Sequence, residues 1–152
     1  MIDCTFKLNN KPLSTFWCGA TSFPAFSGLG AHVNRWGSAC LASEGPIPPG
    51  HYYIFDRQIG GLRGPFERLF GDRRDWFALY AIDSKIDDET YCDRVRRGEF
   101  RLHPKGSRGI SLGCITIDNP NDFQFLRTIL TSGKPSAVPG STIKAYGKVR
   151  VW

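Results

Sequence analysis

His103 and Cys114 stand eleven positions apart in the stretch F-R-L-H-P-K-G-S-R-G-I-S-L-G-C-I-T-I, residues 100–117. A thiol attacks only as its thiolate, and an ordinary cysteine, with a pKa of about 8.5, is mostly protonated at neutral pH. A neighbouring imidazole can accept that proton. Backbone N–H groups of a tight turn can then hold an oxyanion developing on the attacked carbonyl. The spacing predicts two adjacent strands, Phe100–His103 and Ile115–Ile117, joined by a turn segment carrying Gly106, Gly109 and Gly113. Histidine and cysteine would meet at the sheet's edge.

Other uses of these residue types fit less well. A metal site would need more ligands, and no C-x-x-C, H-x-x-H or H-E-x-x-H spacing occurs, so no metal and no other cofactor is expected. Papain-like peptidases place their cysteine before the histidine, the reverse of the order here. The segment from Gly106 to Gly113 lacks the phosphate-cradling G-x-x-x-x-G-K-[ST] pattern. His51 follows a Pro-Gly turn and reads as surface, His32 reads as structural within an aromatic loop, and Ser111 reads as a turn-stabiliser rather than a second nucleophile.

The elements that must position this pair are mostly strands. Cys4–Leu8 alternates, Asn9-Asn10 suits a turn with positive φ, and Leu13–Trp17 can return beside it as a hairpin. Residues 18–38 are rich in Gly, Ser and Pro and carry Phe23, Phe26, His32 and Trp36, which predicts an ordered loop. Gly45–Gly50 (G-P-I-P-P-G) is a rigid turn feeding the strand His51–Asp56, and Trp76–Ile82 is an apolar strand. Residues 57–74 read as a loop, and Asp83–Arg97 is polar and expected to be partly helical. One helix is clear: Asn119 can cap it, Pro120 suits its first position, and Asp122 its positive end. Phe123, Leu126, Ile129 and Leu130 share a face, and Gly133 can close it. The end of the chain alternates, with Ile143, Ala145, Val149 and Val151 on one side and a bulge expected at Gly147.

Composition bounds the partners. With 152 residues, 41% hydrophobic and 22% charged, the chain reads as one globular domain, 1–152, with residues 1–38 as an N-terminal hairpin and an active-site flap. Twenty Lys and Arg against 14 Asp and Glu give a net charge of +6, which attracts anionic partners without naming one: nucleic acid, anionic lipid and acidic cell-wall polymers all qualify. No nucleic-acid motif accompanies the basic run Arg94, Arg96, Arg97, Arg101, Lys105 and Arg108, so nucleic acid is not an expected partner. Phe16–Leu29, the most apolar-leaning stretch near the start, is broken by Pro24, Gly19 and Gly28 and is too short to span a bilayer. No membrane partner and no signal peptide are expected. Five cysteines leave at least one thiol unpaired; with Cys114 set aside, Cys4, Cys18, Cys40 and Cys92 allow three pairings or none.

The H-x10-C spacing ending in S-x-G-C-I, preceded by P-x-G-x-Y-x-I, resembles the L,D-transpeptidase catalytic domain over about residues 40–120. It is most similar to the shorter branch of that family, the L,D-transpeptidase effectors exported by type VI secretion systems. The resemblance implies a mainly β, sandwich-like fold with one or two short helices. It implies Cys114 as nucleophile, His103 as general base, the Pro104 carbonyl as the group orienting the imidazole, and Ser111 as the motif serine. Leu112, Gly113 and Cys114 would supply the oxyanion hole. The larger family has S-H-G-C followed closely by Arg; here Leu112 replaces the second histidine and Thr116 or Ile117 stands near the arginine position.

The implied activity is that of a cysteine L,D-carboxypeptidase or L,D-transpeptidase, which removes or exchanges terminal D-Ala on tetrapeptide stems through a thioester. Stems carry carboxylates, for which Arg101, Lys105 and Arg108 are the expected binding residues. The implied setting is an antibacterial toxin made in the cytoplasm, secreted, and acting as a monomer on peptidoglycan in the target cell's periplasm. Type VI secretion components and a periplasmic immunity protein would be its partners. A catalytically silent wall- or glycan-binding module of the same fold is the alternative.

Overall fold

The computed structural model describes residues 1–56, 75–106 and 112–152. The expected loop at 57–74, and Arg108 and Ser111 with the turn around them, lie outside those residues. Twelve strands occur in the described residues: β1 Ile2–Phe6, β2 Ser14–Cys18, β3 Thr21–Ser27, β4 Gly50–Asp56, β5 Phe77–Ala81, β6 Glu89–Cys92, β7 Val95–Gly98, β8 Arg101–Pro104, β9 Ile115–Ile117, β10 Ser136–Ala137, β11 Lys144–Ala145 and β12 Gly147–Val151. One helix, α1 Pro120–Thr131, and two single 3-10 turns, Gly30–His32 and Trp36–Ser38, complete them.

Eight strands close into a barrel in the order β1-β12-β4-β5-β8-β9-β3-β2. The mainly β expectation is met, but the sheet is a closed barrel rather than the sandwich expected. The cause lies at the termini. β1 pairs antiparallel with β2 and parallel with β12, and β12 also pairs antiparallel with β4. Closure leaves no barrel strand with an unpaired edge.

The barrel interior is built by alternation. Phe6, Phe16, Phe23, Ile54, Phe77, Leu102, Ile115 and Val149 form one buried cluster, and α1 adds Phe123, Leu126 and Leu130 to it. The helix starts where expected, with the Asn119 side chain accepting from the Asn121 N–H at 2.8 Å. It ends on Ser132, whose hydroxyl donates to the Ile129 carbonyl at 2.7 Å, so a serine rather than Gly133 closes it. The final segment divides at Gly147. Val149 and Val151 enter the main cluster, whereas Ile143 and Ala145 pack in a second one with Tyr53, Phe55 and Tyr80. A Cβ at Gly147 would stand 2.5 Å from the Ile2 carbonyl oxygen, so close strand approach, not a bulge, requires glycine there.

Two local expectations are corrected. Residues 21–27 were expected in a loop but form β3, with Phe23 and Ala25 turned into the core. Pro24 is tolerated because it serves as acceptor, taking the Asp118 N–H at 2.9 Å. The expected helical content of 83–97 is instead the hairpin β6–β7. Its two turn residues, Asp93 (φ 48°) and Arg94 (φ 68°), both adopt the positive φ that a tight two-residue hairpin turn requires. The first hairpin forms as expected, with Asn10 at φ 59° and Cys4 directly opposite Cys18. A disulfide joins Cys40 to Cys92, and Cys4 and Cys18 are buried thiols.

Candidate active site

β8 and β9 run parallel, with Leu102 opposite Ile115 and His103 opposite Thr116. Because successive residues alternate faces, Leu102 and Ile115 enter the core while His103 and Thr116 share the outer face. Cys114 immediately precedes β9, two positions before Thr116. Phe26 lies opposite Thr116 across β3 and β9. His103 thus lies on β8 and Cys114 one position ahead of the adjacent β9, on a closed barrel rather than at a sheet edge.

The imidazole is held on three sides. Pro104 offers only a carbonyl, so the 2.8 Å contact with His103 Nδ1 makes that nitrogen the donor and leaves Nε2 as the basic atom. The Trp76 ring stacks on the imidazole, centroids 4.2 Å apart and planes 17° apart. Thr116 Oγ1 lies 3.4 Å from Nε2. Its rotatable hydroxyl can donate to neutral Nε2 and accept from the protonated form. His103 is 4% exposed, so water contributes little to its orientation.

Cys114 is a half-buried reduced thiol whose Sγ lies 4.0 Å from the Glu99 carbonyl. Two guanidinium groups act on it. Arg97, itself 5% exposed, donates to the carbonyls of Ala39, Gly45 (3.1 Å) and Pro46 (3.2 Å). Burial pushes the Arg97 pKa below its ordinary value, while Tyr52 and Cys114 act in the opposite direction. Arg101 makes a two-pronged ion pair with Asp88, at 2.7 and 2.6 Å, and donates to the Phe100 carbonyl. Burial alone would lower its pKa, but the hydrogen bonds and charge of Asp88, with a contribution from Cys114, carry it above its ordinary value. Both cations favour a thiolate at Cys114.

Gly113 has φ 83°, the left-handed region natural to glycine, which sets the Leu112–Gly113–Cys114 backbone in a turn ahead of β9. The remaining expected substrate-binding residues are placed differently from one another. The Arg101 fork is occupied by Asp88. Lys105 Nζ lies 3.3 Å from Asp118 and 5.9 Å from the Phe26 ring centroid.

Three contributors were not singled out from the sequence: Trp76, Asp88 and Thr116. Arg97 was read only as part of a basic surface run. Its carbonyl partners lie 51 to 58 positions away, a separation that no local pattern reveals. His32, by contrast, is structural as expected, with Nδ1 2.9 Å from Ser38 Oγ and Nε2 3.6 Å from Glu44. Among the described residues, no group of three or more His, Cys, Asp or Glu could hold a metal ion, and no helix is long and apolar enough to cross a membrane.

The model of one protein family, the Tlde1 domain, matches residues 21–141 of this chain. No curated protein matches it.

Proposed function

Because this chain belongs to the Tlde1 domain family, the type VI secretion L,D-transpeptidase effectors that act on peptidoglycan, we propose that it is a cysteine-dependent L,D-carboxypeptidase and exchange enzyme. The observation that carries the reading is the His103 imidazole, buried, stacked on Trp76 and donating from Nδ1 to Pro104, on the strand beside the one that Cys114 leads into. A histidine fixed in this tautomer is a base at Nε2, as thiol activation requires.

In this reading His103 Nε2 takes the Cys114 proton, and the thiolate attacks the carbonyl of the diaminopimelate residue in a tetrapeptide stem. The N–H groups of the Leu112–Cys114 turn receive the oxyanion. The C–N bond to terminal D-Ala breaks, its nitrogen takes the proton from His103, and a thioester remains. Water then releases a tripeptide stem, or a D-amino acid takes the acyl group and gives an exchanged stem. Either product removes donor stems from a rival's wall, which suits a toxin secreted into a target periplasm. Ser111 is assigned to the turn by motif position, and Arg108 to substrate carboxylates by its place in the basic run.

Mass analysis of tetrapeptide muropeptides incubated with the protein, with and without a D-amino acid, tests the proposal. The wild type is expected to yield tripeptide and exchanged tetrapeptide, and Cys114→Ala to yield neither. Unaltered muropeptides with the wild type, together with slow iodoacetamide labelling of Cys114, would favour a silent wall-binding module.

A further inference from the structure

A cavity of about 540 Å³ lies beside the outer-face row of Phe26, Thr116 and His103, and the proposed chemistry leaves it unused. Lys105 and Asp118, two positions beyond His103 and Thr116 and just past the ends of β8 and β9, line it, as do Phe26, Lys11, Val33 and Arg35. Strand rise is about 3.3 Å per residue, so the lining residue Phe26, opposite Thr116, stands level with a point roughly 7 Å along the chain from Cys114, and Asp118 roughly 13 Å from it. It lies on the far side of the histidine row from the thiol.

Its walls are fixed by one buried side chain. Asn34 Oδ1 accepts from the Ser27 N–H at 2.9 Å, and Nδ2 donates to the Lys11 carbonyl at 2.9 Å. The Asn34 carbonyl accepts from the Asn10 N–H at 2.9 Å, and Asn10 Oδ1 accepts from the Trp36 N–H at 3.0 Å. These bonds join the turn between β1 and β2 to the segment after β3, so the two basic side chains project from a preformed frame.

Charge indicates the ligand. Asp118 is engaged by Lys105, and neither Lys11 nor Arg35 has an acidic partner among the described residues. Two uncompensated cations beside the apolar Phe26 and Val33 fit a carboxylate on a short aliphatic chain. We propose that this cavity binds the carboxylate-bearing, sugar-proximal part of the stem peptide, with Lys11 and Arg35 holding the carboxylate. Distance selects that part of the substrate. The terminal D-Ala carboxylate is one residue, about 3.5 Å of chain, from the attacked carbonyl and cannot span the gap. The segment preceding the reacting residue reaches two or more residues in the other direction and can. This inference rests on the proposed stem-peptide activity.

The test uses the full chain with Lys11→Glu, Arg35→Glu and the double substitution, all at exposed positions. On tetrapeptide muropeptides the double variant is expected to raise KM about tenfold or more with kcat nearly unchanged, the scale of a lost charge-assisted hydrogen bond. The iodoacetamide labelling rate of Cys114 should not move. A muropeptide with the sugar-proximal carboxylate amidated should bind wild type and double variant alike. An unchanged KM in the double variant of an active enzyme overturns the cavity assignment. If the wild type turns over no stem, the proposed activity fails instead. Calorimetric binding of the same muropeptide to Cys114→Ala, with and without the two charge reversals, then decides the cavity: weaker binding on reversal supports it, and equal binding refutes it.

Discussion

Arg97 Nη2 lies 2.6 Å from the point where a Cβ on Gly113 would stand, and the Phe100 ring lies 3.0 Å from that point. The glycine ahead of Cys114 is therefore required by a buried cation packed beneath it as well as by its φ of 83°. Gly113→Ala should cost about 1–2 kcal/mol for left-handed alanine and about 1–3 kcal/mol for overpacking. Thermal melting should fall by roughly 4–20 °C at this chain length. A variant melting within a degree of wild type would show that the turn relaxes freely away from Arg97.

Removing the cation tests its electrostatic role. The charge of Cys114 raises the Arg97 pKa, and the interaction is mutual, so Arg97 must favour the thiolate. In Arg97→Met the pH profile of Cys114 alkylation should move to higher pH, with a lower rate at neutral pH. Arg97→Lys should keep part of the charge effect while losing the three-carbonyl clamp on Ala39, Gly45 and Pro46. If the methionine and lysine variants share one alkylation profile, Arg97 acts through packing alone.

Local chemistry made much of the site legible. The expected neighbouring strands formed, with His103 on β8 and Cys114 just ahead of β9, and Pro104, able only to accept, fixed the histidine tautomer. Asn119-Pro120 announced the one helix. What stayed hidden depends on distant partners. Barrel closure comes from pairing residues 2–6 with 147–151, and the sequence signals of two short terminal strands say nothing about each other. Pro24 resembled a loop signal although its carbonyl serves the ladder. Asp93-Arg94 resembled polar helix because positive φ is unusual for both. Arg101 looked free for substrate until Asp88, thirteen positions away, occupied its fork.

Trp76 offers a separate handle on His103, the proposed base. Its ring covers one face of His103, and an imidazolium formed during thiol activation gains a cation–π interaction there of about 1 kcal/mol. Trp76→Ala should lower kcat about five- to tenfold and raise KM little, because the stack orients the base without contacting the stem. Trp76→Phe should recover part of the loss. A KM effect as large as the kcat effect would mean that Trp76 meets substrate directly.

The Cys40–Cys92 disulfide joins the β6–β7 hairpin to the same segment, residues 39–46, that Arg97 clamps from β7. It closes a span of 52 positions, for which loop-closure entropy predicts about 4 kcal/mol of stabilisation. Reduction, or Cys40→Ala with Cys92→Ala, should lower the melting temperature by roughly 8–16 °C. Because hairpin and clamp are anchored together, reduction should also slow Cys114 alkylation, and Arg97→Met should abolish that second effect while leaving the melting shift. The Arg97→Met background therefore separates the two roles: alkylation that still slows on reduction there would mean that the disulfide acts on Cys114 by a route other than the guanidinium.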